Sequence, residues 1–210
     1  MNELRRGLLI ASGACLIPGA KAHSQMISRA PGLYDLGLIN LPAVTARQNC
    51  EQWCWAASLE TIFNVWGVPA VQEDFVRLAF RALVCRPASD DLMLSCIDNR
   101  FENAKTGQTS TGKHFVARGQ RLADDGYWWH VVVTELSNGR PLLAAYRTGV
   151  NSGHAVVITH IRVQYFGDGT ADIQSITVRD PWPASPNRRS LTLEEAKQLR
   201  FIAAVSFTRT

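Results

Sequence analysis

The chain has 210 residues, 46% of them hydrophobic and 19% charged, with a formal net charge of +4 and five cysteines. That length and apolar share suit one domain, or two lobes meeting at one interface, and exclude a disordered chain. No apolar run reaches the length of a membrane span, and no concentrated Lys/Arg stripe marks a nucleic-acid surface.

The N-terminus reads as a secretory signal peptide over residues 1–22. Arg5 and Arg6 are a basic start, Gly7 to Ala20 an apolar stretch broken by Pro18-Gly19, and Ala20-Lys21-Ala22 an A-x-A cleavage site. A mature chain beginning at His23 has lost three basic residues and one acidic, so its net charge is +2 rather than +4. Residues 23–45, punctuated by Pro31-Gly32, Gly37 and Pro42, read as an extended N-terminal segment, too short for a folded inhibitory pro-domain.

From residue 46 to about 100 the pattern is helical. Trp55, Leu59, Ile62, Phe63 and Trp66 recur at one-face spacing, and Gly67 with Pro69 ends the run, so a helix starts at or just before Cys54. Val71 to Val84 gives a second helix and Ser89-Asp90-Asp91 the start of a third. Asn103 to His114 reads as a polar surface loop. The second half is mostly β: Leu142–Tyr146, His154–Tyr165, a Gly167-Asp168-Gly169 turn, Asp172–Val178 and Phe201–Phe207. Thr192-Leu193-Glu194-Glu195 is a capping box for a short helix running to about Leu199. Trp128 to Leu136 fits a strand or a helix, and Arg188-Arg189 reads as solvated loop.

Export favours disulfides, and four cysteines remain after cleavage: Cys50, Cys54, Cys85 and Cys96. With Cys54 kept free, one bridge and one spare thiol follow. Cys85 with Cys96 closes the shorter loop and is the first expectation, with Cys50 to either as the alternatives. The spacings do not suit a zinc site, and neither a metal nor another cofactor is expected.

Cys54, in the first turn of a buried helix, sits where unpaired N–H groups and the helix dipole favour a thiolate. A cysteine nucleophile also needs a base, a group that orients the base and an oxyanion donor. His154, at the mouth of an apolar strand behind Gly153, is the candidate base, with His160 its competitor on the same strand. Asp180 comes beside His154 if the strands around Gly167-Asp168-Gly169 pair, and would orient the imidazole. Gln48, six residues before Cys54, is the candidate oxyanion donor.

Gln48, Cys54-Trp55, Gly153-His154 and Asp180-x-Trp182 resemble the signature blocks of papain-like cysteine peptidases, over roughly residues 46–183. The strings Cys-Trp-Ala-Ala-Ser and Gly-His-Ala-Val-Val-Ile…Asp-Pro-Trp resemble most the compact bacterial branch of secreted staphopain-like enzymes and plant-pathogen effector proteases. Asp180 stands where papain has asparagine. Cys50 is four residues before Cys54 rather than three, and Glu51-Gln52-Trp53 replaces a glycine-containing stretch.

The resemblance implies an α+β, papain-like two-lobe fold, with a helical lobe over about 46–125, an antiparallel β lobe over about 126–210, and the site between them. It implies a Cys54–His154–Asp180 triad with Gln48 at the oxyanion, Trp182 shielding the His154–Asp180 contact and Trp55 packed between the lobes. The expected activity is hydrolysis of peptide bonds through a thioester. Deamidation or transglutamination of glutamine side chains uses the same chemistry, and an inactive papain-like binding module is the non-enzyme alternative. The expected partners are a polypeptide substrate, such as a host or competitor protein, and a cognate inhibitor. No nucleic acid and no membrane span are expected, and the expected location is secreted or periplasmic.

Overall fold

The computed structural model describes residues 22–39, 41, 46–103, 106–118 and 128–209. The expected targeting segment up to Lys21 lies outside the described residues. Strands β1 (His23–Ala30), β2 (Leu33–Ile39), β3 (Arg100–Glu102), β4 (Thr109–Arg118), β5 (Leu142–Arg147), β6 (Gly153–Tyr165), β7 (Ala171–Arg179), β8 (Arg188–Ser190) and β9 (Leu199–Arg209) form one nine-stranded sheet. Five helices accompany it among the described residues: α1 (Cys54–Trp66), α2 (Gln72–Phe80), α3 (Asp90–Ser95), α4 (Trp128–Ser137) and α5 (Leu193–Lys197).

β6 is the hub. Its 13 residues are long enough to serve three antiparallel partners. One edge takes β5 along Gly153–Ile158 and β2 along His160–Gln164, while the other takes β7 from Val157 to Tyr165. β9 pairs with both β5 and β4, and so carries the sheet on from β5 to β3.

The central strands read as continuous apolar runs because both faces are covered. Alternate residues go to opposite sides. Leu143, Ala145, Ala155, Val157, Phe201 and Ala203 join α1, α2 and α3 in one core. Leu142, Ala144, Val156, Ile158 and Ile202 join Val132 and Leu136 of α4 in the other. Phe63 centres the first core, fully buried, with edge-on rings of Phe75, Phe101 and Phe207 at 4.7–4.8 Å. Burial of such a side chain contributes about 1.5–3 kcal/mol. α1 ends at Gly67, whose φ of 70° no β-carbon-bearing residue adopts cheaply.

The mixed helix and antiparallel-sheet character expected from the sequence is present. The division into a helical lobe over about 46–125 and a β lobe over about 126–210 is not how the sheet is built: β4, from the first of these spans, pairs with β9 from Ser110 to Arg118. That strand occupies much of the segment expected as a polar loop. Its Thr-Ser-Thr-Gly composition gives no apolar alternation, and the pairing with a distant strand decides its conformation. Residues 23–39, expected as an extended lead-in, form the β1–β2 hairpin laid on β6. The Trp128–Leu136 ambiguity resolves as helix, with Val132 and Leu136, four apart, buried against the sheet. α2 stops at Phe80, short of Val84, where Arg81 turns left-handed at φ 57°.

Candidate active site

α1 begins at Cys54, which is half-buried and free. Its N-cap is Trp53, which offers no side-chain cap, so the first-turn N–H groups that lack intrahelical acceptors are not met by a capping side chain. Three ties fasten the 84–86 segment to this turn. Cys50 is bonded to Cys85, Trp53 Nε1 donates to Val84 O at 2.9 Å, and Trp55 Nε1 donates to Arg86 O at 3.2 Å. Pro87 and Ala88 thereby become a wall of a cleft of about 540 Å³ that contains Cys54 and His154.

The bridge is Cys50–Cys85, one of the alternatives, and not Cys85–Cys96. Loop-closure entropy separates loops of these lengths by only about 1 kcal/mol, which packing easily outweighs. Cys96 is 2% exposed under α2, and burial pushes its thiol up to about 11.

β6 brings His154 to the cleft, and the hairpin that joins it to β7 returns Asp180 to its side. His154 Nε2 meets Asp180 Oδ1 at 2.8 Å, which leaves Nδ1 available to Cys54 in the same cleft. Burial works against the charged imidazole, but hydrogen bonds to Asp180 and Cys54 and their charges outweigh it and raise His154 to about 9. Asp180 is 1% exposed. Burial would raise its carboxyl, yet the His154 hydrogen bond and charge, the Trp182 N–H and Arg189 hold it down at about 2.

Behind Asp180 lies a layer that sequence reasoning missed. Arg189 Nε donates to Asp180 Oδ2 at 2.7 Å, while Nη1 and Nη2 fork onto Glu195 at 2.7 and 2.8 Å. Tyr146 OH accepts from Arg189 Nη2 at 2.9 Å and donates to Glu195 Oε1 at 2.8 Å, its ring edge-on to His154 at 5.7 Å. Glu195 simultaneously closes the capping box of α5 by accepting from Thr192 N–H at 2.8 Å. Burial would raise the Glu195 carboxyl, but Arg189, Thr192 and Tyr146 bring it down to about 2. Arg189 is therefore not solvated loop but a half-buried cation between two carboxylates.

On the other side, Arg47 Nη1 donates to the carbonyls of Asp180, Trp182 and Ser185 at 3.2, 2.6 and 2.9 Å and fixes the segment that carries Asp180. The capping box exposed Glu195 in the sequence, whereas nothing local pointed to Arg47, Tyr146 or Arg189.

Gln48 sits in the same loop, 6% exposed. Its Nε2 donates to Cys50 O at 3.0 Å and Glu51 O at 2.9 Å, so both amide hydrogens serve loop carbonyls. Trp182 donates its backbone N–H to Asp180 Oδ1 at 2.9 Å, with its indole 39% exposed. Trp55 is buried edge-on to Phe80. His160 lines a different cavity, and His114 pairs with Asp98 at 2.9 Å. Among the described residues no cluster suited to a metal ion occurs.

A family model described as Peptidase_C39 like family matches residues 39–206. A crystal structure of a double glycine motif protease from an AMS/PCAT transporter, in complex with the leader peptide, is similar at 14% identity and a TM-score of 0.43, over 79% of this chain and 91% of that one. No curated protein matches the chain. The family match covers most of the chain, including every residue of the site just described, and the chain belongs to the Peptidase_C39 like family and is a cysteine peptidase.

Proposed function

We propose that the protein is an exported cysteine peptidase that hydrolyses peptide bonds with a Cys54–His154–Asp180 triad. The observation that carries this reading is the meeting of Cys54, at the start of α1, and His154 in one cleft, with His154 Nε2 hydrogen-bonded to the buried Asp180 at 2.8 Å. His154 Nδ1 takes the Cys54 proton, giving a thiolate–imidazolium pair that Asp180 supports. The thiolate adds to a peptide carbonyl. The developing oxyanion is met by the Cys54 N–H and its uncapped first turn. Imidazolium then protonates the leaving amine, the C–N bond breaks, and a thioester remains. Water, deprotonated by His154, attacks the thioester and releases the acid and the thiol.

Gln48 acts here by shaping the turn before Cys54 through Cys50 O and Glu51 O. Export rests on the basic, apolar and A-x-A pattern of residues 1–22, with a secreted or periplasmic destination. Kinship with the compact staphopain-like and effector branch rests on the Cys-Trp-Ala-Ala-Ser and Asp-Pro-Trp strings.

The test is iodoacetamide labelling of the purified protein, read by mass spectrometry, alongside digestion of a peptide library. Rapid labelling at Cys54 alone, lost in H154A, with new peptide termini lost in C54A, is the expected result. Ammonia release without chain cleavage would point to glutamine chemistry. An unreactive Cys54 would overturn the triad.

A further inference from the structure

A cavity of about 590 Å³ opens among β1, β2, β6, β7 and β8 and shares no lining residue with the Cys54 cleft. Its charged lining is Arg29, Asp35, Arg162, Arg179 and Arg188. Asp35 is the only acid there among the described residues, and both its oxygens are taken. Arg162 Nε meets Oδ1 at 2.6 Å, and Arg29 Nε and Arg162 Nη2 meet Oδ2 at 2.6 and 3.0 Å. Among the described residues neither Arg179 nor Arg188 is paired with a carboxylate.

These two arginines are register partners across the β7–β8 ladder, and like charges directly opposite on an antiparallel pair destabilise it. Arg179 donates Nη1 to Asn187 Oδ1 at 2.8 Å, while its Nε is buried with no hydrogen-bond partner. Around them stand Ser175, Thr177 and Ser190, whose hydroxyls can donate. His160 completes the lining, its ring lying on the bare backbone of Gly37. A β-carbon at Gly37 would fall 1.9 Å from His160 Cδ2. Burial and the charges of Arg188 and Arg179 push His160 down to about 4, so it is neutral and adds no charge of its own at neutral pH.

We propose that this cavity binds a doubly charged tetrahedral oxyanion of the phosphate class, held between Arg179 and Arg188 with the hydroxyls of Ser175, Thr177 and Ser190. Two uncompensated cations converge on one space, and a dianion neutralises both where a carboxylate neutralises one. Arg179, whose Nε is buried without a hydrogen-bond partner among the described residues, carries an unmet donor on the guanidinium that borders this space. The ligand is inorganic phosphate or a small phosphate monoester, and the site is independent of the peptidase chemistry.

Thermal unfolding of the full chain, with phosphate replacing chloride at constant ionic strength, tests this. Tm rises saturably, by several degrees at a phosphate concentration a hundredfold above Kd. Glucose 6-phosphate in a parallel series separates the sources: tighter binding assigns the monoester, equal or weaker binding the free ion. Arg188 is exposed at a sheet edge, so R188Q removes one cation with little risk to folding. R188Q loses the phosphate response and, relieved of repulsion, melts at or above the wild type in chloride. Absence of a saturable rise in the wild type overturns the site. So does a rise retained in R188Q, or an R188Q Tm in chloride well below that of the wild type.

Discussion

Asp180→Asn isolates what the buried carboxylate does. Every group that meets it is a donor: His154 Nε2 at 2.8 Å and the Trp182 N–H at 2.9 Å on Oδ1, and Arg189 Nε at 2.7 Å on Oδ2. An amide has one accepting oxygen. If it serves His154 and Trp182, its NH2 confronts the Arg189 Nε–H in a region from which water is excluded. Removing one partner of a buried ion pair costs about 3–5 kcal/mol, which in a protein of this size lowers Tm by about 6–20 °C. The charge loss is also read at His154. Burial still opposes its protonation, the Asp180 contribution is gone, and the midpoint falls from about 9 toward or below 6.5. His154 has a folded value above its unfolded one. Its stabilising contribution is therefore complete below about 6.5 and is lost as pH rises through about 9. The wild type loses stability across that window, and D180N loses less. NMR titration of the His154 ring, with Tm followed over the same pH range, measures both effects. A second substitution, R189M, removes the confronting cation and recovers part of the loss in the double variant. A D180N protein with wild-type Tm and a His154 midpoint still near 9 would refute the reasoning.

Other substitutions separate chemistry from architecture. Cys54→Ala abolishes turnover with Tm nearly unchanged, and residual turnover in that variant would exclude Cys54 as nucleophile. In the native protein Cys54 alkylates while Cys96 does not, because Cys96 is buried and its thiol is held near 11; unfolding exposes Cys96, as peptide mass mapping will show. The double variant C50S/C85S opens a bridge of sequence separation 35. On the chain-entropy account it costs about 3–4 kcal/mol, seen as a lower denaturant midpoint, and Cys54 labelling slows as the Pro87–Ala88 wall loosens. Phe63→Ala empties the centre of the aromatic cluster and costs about 3–5 kcal/mol by urea unfolding, with no change in the pH dependence of Cys54 labelling.

The placement of Cys54 at the head of a helix and of Asp180 beside His154 was legible because each rests on a local pattern. One-face apolar spacing and the Gly67 stop put Cys54 at the head of α1, since both follow from helix geometry. The short turn between β6 and β7 carried Asp180 back to His154, because a hairpin leaves its strands few registers to choose from. The capping box at Thr192 and Glu195 is likewise a matter of a few residues.

What the tertiary structure decided are pairings between distant segments of similar local free energy. The pattern of cysteines could not choose Cys85 over Cys96 as a bridge, since a modest entropy difference yields to where α3 buries Cys96. The Thr109–Arg118 segment, polar in its first half, becomes a strand because β9, and β3 at its start, are there to pair with it. Arg189 looked like surface charge and Gln48 like a free oxyanion donor, because which acceptor a flexible polar side chain meets depends on what the fold brings beside it. The sequence alone has no basic stripe, yet five strands gather four arginines, brought together from across the chain, around one cavity. Charges that are dispersed along the chain become a single electrostatic site only when the sheet is complete.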